Sequence, residues 1–242
     1  MCLQTPKLKW YHSGIATCIS KFNLAHANEK RDWHIFADFG YMLIAESRKC
    51  ILPDEDFSTF EDSAIHAVDT TTIDLCLEVF WRAKFRKHKA AIKLPTLLDI
   101  KTEIPCYVHI TDGTIHEINV LVFLDFEFDR FYVMDLGFVD YERLYAIKKQ
   151  KAWFVSRAKT NMKCRLIYSA KVKKAAGVLH DQPIMLVNFY AIKNYPHKMR
   201  RIQYFDEETN KQFIFLTNNF DLSALQISLL YKSRWKIELF LK

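Results

Sequence analysis

The chain has 242 residues, half of them hydrophobic, with 35 Lys and Arg against 28 Asp and Glu, a net charge of +7. That length and apolar content allow a sizeable core in one or two domains, and the basic surplus favours an anionic partner, nucleic acid before membrane. Five glycines and six prolines exclude long flexible linkers and collagen-like repeats.

No run of about 18 apolar residues occurs, so no membrane-spanning helix is expected. The opening MCLQTPKLKW lacks the apolar core of a secretion signal. Six cysteines, at positions 2, 18, 50, 76, 106 and 164, form no CxxC pair. They predict reduced thiols in a cytosolic protein, with neither a zinc ribbon nor a disulfide frame. The nine histidines form no HxH or HExxH, and no phosphate-cradling GxGxxG is present.

Residues 1–60 read as an N-terminal helical segment. Phe22, Ala25, Ile35, Phe36, Phe39, Leu43 and Ile44 recur between charges at helical spacing, Gly40 is a candidate interruption, and Pro53 closes the run. From residue 64 the period changes to short apolar or alternating runs: AIHAVD, AAIKLPTLLDI, IPCYVHITD, RFYVMD and AWFVSRA. Pro95 in the second run predicts an edge or a bulge. HEINVLVFL (116–124) and VDYERLYAIKKQK (139–151) fall between the later runs, the second at helical spacing. Three strands in a meander, followed by helix, strand, helix and strand, predict an α/β fold with a mixed sheet flanked by helices over residues 61–159. Residues 160–221 return to strand-like segments: RLIYSAKV, QPIMLVNFYAI and the hairpin RRIQYFDEETNKQFIFLTN. They predict a β-rich insertion before a last helix over 222–242, with Ser223 as its N-cap.

Asp69 ends one apolar strand and Asp135 another, so neighbouring strands would bring both carboxylates to one edge of the sheet. In the last helix Tyr231, Arg234 and Glu238 stand at offsets of zero, three and seven, on one helical stripe. A helix packed across that edge would add Glu238 to the two aspartates. Three converging carboxylates repel one another unless cations neutralise them, and oxygen-only ligands select Mg²⁺ or Mn²⁺. Each residue also has a plainer reading. An Asp after a strand commonly makes an Asx-turn, and Arg234 and Glu238 have the spacing of a helix-surface ion pair. Tyr231 has the plainer reading of a core residue. Arg82, Lys84, Arg86, Lys87 and Lys89 form a basic stretch after the Asp69 strand, either a phosphate grip beside the reactive centre or a solvated hairpin tip.

Together these motifs resemble the insertion sequence 4 family of bacterial DDE transposases, from about residue 20 onward. Tyr231, Arg234 and Glu238 match its Y-x2-R-x3-E signature; Asp69 with Thr70, Thr71 and Thr72, and Asp135 with Gly137 and Phe138, match its other two motifs. ITDGTIHEIN, FVSRAKTN and FLTNNFDLSAL also look like family sequence. The resemblance implies a ribonuclease-H-like fold in which Asp69, Asp135 and Glu238 are catalytic and hold two divalent ions, Mg²⁺ or Mn²⁺. It implies strand cleavage and transfer at element ends, DNA contacts from Tyr231 and Arg234, DNA and a homodimeric synaptic complex as partners, and a nucleoid-associated cytoplasmic location. Leu136, Ala90, Ala91 and Pro95 depart from the family pattern, and the signature's lysine would fall three positions past Lys242. The chain is therefore expected to be truncated at both ends, with weak metal binding. Two alternatives to an active transposase stay open: an inactive remnant that at most binds DNA, and a nuclease without strand transfer.

Overall fold

The computed structural model describes residues 20–32, 34–50, 63–75, 84–86, 89–114, 116–122, 124–159, 162–172 and 174–242. Two compact units divide at residue 46. In the first, helix α1 (Lys21–Lys30) starts where the Ser20 hydroxyl accepts the Asn23 N–H, a side-chain cap for an otherwise orphaned donor. Helix α2 (His34–Cys50) follows, its last turn belonging to the second unit, and no residue of it is buried. Both lie within the stretch read as helical; residues 1–19 and 51–62 lie outside the described residues.

Residues 47–242 form the second unit, built on one large sheet. Its described strands are β1 (Ile65–Leu75), β2 (Lys84–Arg86), β3 (Lys89–Asp99), β4 (Ile104–Val108), β5 (Thr111–Asp112), β6 (Phe131–Met134), β7 (Trp153–Arg157), β8 (Cys164–Leu166), β9 (Val178–Leu186), β10 (Met199–Asp206) and β11 (Lys211–Thr217). The order across the sheet is β2-β3-β1-β6-β7-β11-β10-β9-β8, with β4 and β5 also on β3. Strands β1, β6 and β7 run parallel, and the other pairings are antiparallel. The middle one, β6, is apolar throughout: Phe131–Met134 is buried at every position, as a strand covered on both faces requires. The 160–221 segment does not stand apart, because β11 pairs with β7 and extends the same sheet.

Pro95 lies inside β3, opposite Thr70 of β1, rather than on a free edge. Its carbonyl accepts the His109 N–H on the outer side, where its own missing N–H leaves no second bond. The outer partner breaks there into β4 and β5, so the proline does mark an irregular place in the ladder.

Successive residues point to opposite faces and feed two cores. Val68, Met134, Phe154 and Leu216 face one side. It is covered by α4 (Tyr141–Lys149), which follows the single turn α3 (Glu117–Val120), and by α5 (Phe189–Asn194). Ala67, Val133, Val155 and Phe215 face the other, against α6 (Ala224–Ser233) and α7 (Trp235–Phe240). Two sequence readings need correction. Residues 189–192, read as strand, belong to α5, because the Asn188 side chain accepts the Tyr190 N–H and caps a helix. The last helix is two helices, broken at Arg234, which ends α6 and precedes α7. Ser223 does cap it, in a reciprocal box with Gln226. No helix of the described residues is long and apolar enough to cross a membrane.

Candidate active site

The register of the parallel strands positions the first two acids. Val68 of β1 pairs with Met134 of β6 as the last pair of that ladder, so the next residues, Asp69 and Asp135, lie side by side where it ends. Asp135 follows the end of β6, but Asp69, expected at a strand end, lies inside β1, which runs on to Leu75 paired with β3. Asp69 Oδ1 accepts the N–H of the next residue, Thr70, at 2.8 Å, a contact within β1 rather than the Asx-turn bond to a residue two positions on. Asp135 leads into the one-turn helix Leu136–Phe138.

Helices α6 and α7 cross this point. Tyr231 packs its ring on Phe215 at 4.6 Å and donates its hydroxyl to Asp135 Oδ1 at 2.8 Å. Arg234 lies at the helix break and reaches in both directions. Its Nη1 is 3.5 Å from Asp69 Oδ2, and its Nη2 donates to Glu238 Oε1. One guanidinium, with its side chain only 12% exposed, therefore ties the sheet acid to the helix acid. The expected ion pair of Arg234 with Glu238 is present, and it is part of the cluster rather than of the outer surface. Arg157, at the end of β7, brings Nη1 to 3.9 Å from Asp135 Oδ1.

The two aspartates sit in opposed environments. Burial pushes the Asp69 carboxyl above the usual carboxylate range, against the lowering effects of the Thr70 N–H and Arg234; Glu238 and Asp135 add to the rise. Asp135 is also partly desolvated, but the Leu136 N–H, the Tyr231 hydroxyl, Arg234 and Arg157 outweigh this and hold it below that range. Burial, then the Asp135 charge, pushes the Tyr231 phenol up, so it remains a proton donor to the carboxylate.

Asp69, Asp135 and Glu238 are the all-oxygen donor set that suits a hard divalent cation, but the Arg234 guanidinium already pairs with two of the three. In the arrangement described, no three His, Cys, Asp or Glu side chains among the described residues are grouped closely enough to share an ion.

The basic stretch falls elsewhere. Lys84 and Arg86 are on β2 and Lys89 opens β3, while Arg82 and Lys87 lie outside the described residues. Ala90 pairs with Leu75, six positions along β1 from Asp69, roughly 20 Å at about 3.3 Å per residue. This hairpin is thus not beside the carboxylates.

Sequence reading missed four residues that frame the cluster. Arg157 could have been found, since it follows the run that pairs in parallel with β6. Arg200, on β10, is buried; its Nε and Nη2 grip Asp181 at 2.8 and 2.7 Å, and its Nη1 donates to Leu222 O at 2.6 Å, just before α6. Asn218 accepts the Phe154 N–H and donates to Ala152 O, both at 2.8 Å, completing β7 where β11 ends. Lys232 of α6 reaches the β10–β11 hairpin at Asp206 and Glu208. These last three carry no sequence signal, because their partners lie far away along the chain.

The family model described as "Transposase DDE domain" matches residues 61–242. A Sinorhizobium fredii (strain NBRC 101917 / NGR234) protein named "Putative transposase y4zB" is 28% identical over 222 residues. The match covers 89% of this chain and 59% of that relative, so the chain spans less than two thirds of the relative's length. Among solved structures, Ciona intestinalis endonuclease V in complex with a 23mer DNA aligns over 89% of this chain and 90% of that one. With 13% identity and a TM-score of 0.31, that likeness carries no argument. Over residues 61–242, three quarters of its length, the chain belongs to the transposase DDE domain family.

Proposed function

We propose that this chain contains the catalytic core of a DDE transposase of the insertion sequence 4 type, which cleaves and joins DNA strands at the ends of a mobile element. The core would be a ribonuclease-H-like sheet of residues 61–159 completed by the helical segment 222–242. Residues 160–221 form its β-rich insertion, and residues 1–60 precede it. The observation that carries this reading is the meeting, where β1 and β6 part, of Asp69, Asp135 and Glu238 through the side chains of Arg234 and Tyr231.

Asp69, Asp135 and Glu238 would hold Mg²⁺ or Mn²⁺, two ions in the proposed arrangement. Such ions supply activation of a water or a 3′-hydroxyl and stabilisation of the leaving oxygen. The chain's own groups prepare the site. Tyr231 fixes the rotamer of Asp135, and Arg234 orients Asp69 and Glu238 while offsetting their repulsion. Arg157 and Arg234 present guanidinium groups suited to a DNA phosphate. Acting on bacterial DNA, the protein would work at the nucleoid, as a homodimer when two element ends are paired.

A second reading is favoured by one observation: the three acids are not grouped closely enough to share an ion. On that reading the chain binds DNA without cutting it. The test is incubation with duplex carrying the element's terminal repeats and Mg²⁺ or Mn²⁺. Specific nicking that disappears in Asp69→Ala supports the enzyme, and retention of the duplex uncut supports the second reading. Failure to bind or cut overturns both.

A further inference from the structure

Between Arg157 and Lys174 the chain carries Arg157, Lys159, Lys163, Arg165, Lys171, Lys173 and Lys174, and no Asp or Glu occurs before Asp181. These seven charges equal the net charge of the whole chain, +7, so the excess is concentrated here. The fold lays this stretch along one border. It leaves β7 beside Asp135, crosses to β8, the outermost strand, and continues along β9 through bonds from Ile167 N to Pro183 O and Ala170 N to Asp181 O.

Lys159, Lys163, Arg165, Lys171 and Lys174 are exposed. None of them pairs with a carboxylate among the described residues, whereas Lys232 and Lys236 do. Leu166, Ile167 and Tyr168, between the cations, are each about half exposed, at 49, 48 and 58%. Unpaired cations interleaved with exposed apolar and aromatic side chains match a phosphate backbone in charge. From β7 to β8 the path crosses four strand spacings, roughly 19 Å, about the rise of five or six base pairs.

We propose that this outer edge is a DNA-binding track, along which the backbone of duplex DNA runs from the carboxylate cluster to the far rim of the sheet. It rests on the reading that the protein acts on DNA, and it adds where the duplex beyond the cut site lies. The competing role of edge lysines, to repel a second strand and prevent edge-to-edge association, needs no DNA.

Equilibrium binding of the full chain to duplex DNA in EDTA, over a series of NaCl concentrations, separates the two. The variant K163Q/R165Q/K171Q is compared with K148Q/K149Q/K151Q, which removes the same charge from the opposite end of β7. The edge variant is expected to lower the slope of log K against log salt by about 0.9 per cation removed, about 2.7 in all, with the control near wild type. In the wild-type chain, bound duplex should also shield Lys163 and Lys171 from acetylation, a readout that needs no variant. A wild-type slope in the edge variant, equal losses in both variants, or no DNA binding by the wild type overturns the proposal. Because EDTA prevents cutting, a negative result leaves the nicking test of Asp69→Ala standing, and absence of nicking leaves the slopes interpretable.

Discussion

The two halves of the sheet are built differently. On one side of the β7–β11 junction, β1, β6 and β7 are parallel beside the antiparallel β2 to β5, and β6 is buried at all four positions. On the other, β8 to β11 are antiparallel, and burial alternates along most of β10. A parallel ladder stops at one place on both of its strands, so two acids from distant parts of the chain meet where β1 and β6 part, without a loop to hold them. Antiparallel hairpins gather no such cluster. They supply anchors instead: Arg200 fixes the chain just before α6, and Lys232 ties that helix to a hairpin turn. One half presents the acids; the other holds the helix that completes them.

That division can be broken in four ways. The largest effect is expected for Asp135→Asn, which should abolish nicking of element-end duplex while leaving binding in EDTA intact. Equal loss of both would mean that the acid edge serves the fold rather than the chemistry. Next, Arg200→Met leaves Asp181 nearly buried and uncompensated, and about 3–5 kcal/mol of stability should vanish in urea denaturation. A loss under about 1 kcal/mol would show that the second half does not anchor α6 through this pair.

Asn218→Ala orphans the Phe154 N–H and the Ala152 carbonyl at the seam between the halves. A cost of about 2 kcal/mol is expected, read as a fall in melting temperature of roughly 2–4 °C per kcal/mol. The smallest effect concerns His66, near the start of β1 and three residues before Asp69. Its ring lies 5.5 Å from that of Tyr132, and its Nδ1 has no hydrogen-bond partner among the described residues. Burial lowers its pKa from 6.5, against the raising influence of Asp99 and Glu127. The unfolded chain therefore binds the proton first, and stability should fall as pH drops below about 6.5, by about 1.4 kcal/mol per unit of depression. Substitution by Phe should flatten that part of the stability–pH curve; an unchanged curve would assign the loss to other groups.

Much of the first half is legible in the sequence because its signals are local. AIHAV and FYVM read as buried strands from composition, and Asp135 does follow the end of its strand, whereas Asp69 lies within β1, which runs on to Leu75. What escapes has physical reasons. LVNFYAI looks like strand until Asn188 supplies the cap that turns its second part into helix. Nothing in LLYKSRWKIELF, which lacks Pro and Gly, foretells the break at Arg234. HEINVLVFL yields only the single turn Glu117–Val120. The Arg200 clamp and the Asn218 bridge join residues 19 to 66 positions apart, beyond the reach of any periodicity.

The seam at β7 and β11 also limits how such a protein can change over generations. Since the second half is hydrogen-bonded to the first from Val155 to Arg157, it is no detachable cassette. Excising it would bare an apolar strand to passing chains and invite aggregates. A shorter descendant is better reached by trimming hairpin ends two residues at a time, which keeps every remaining side chain on its original face.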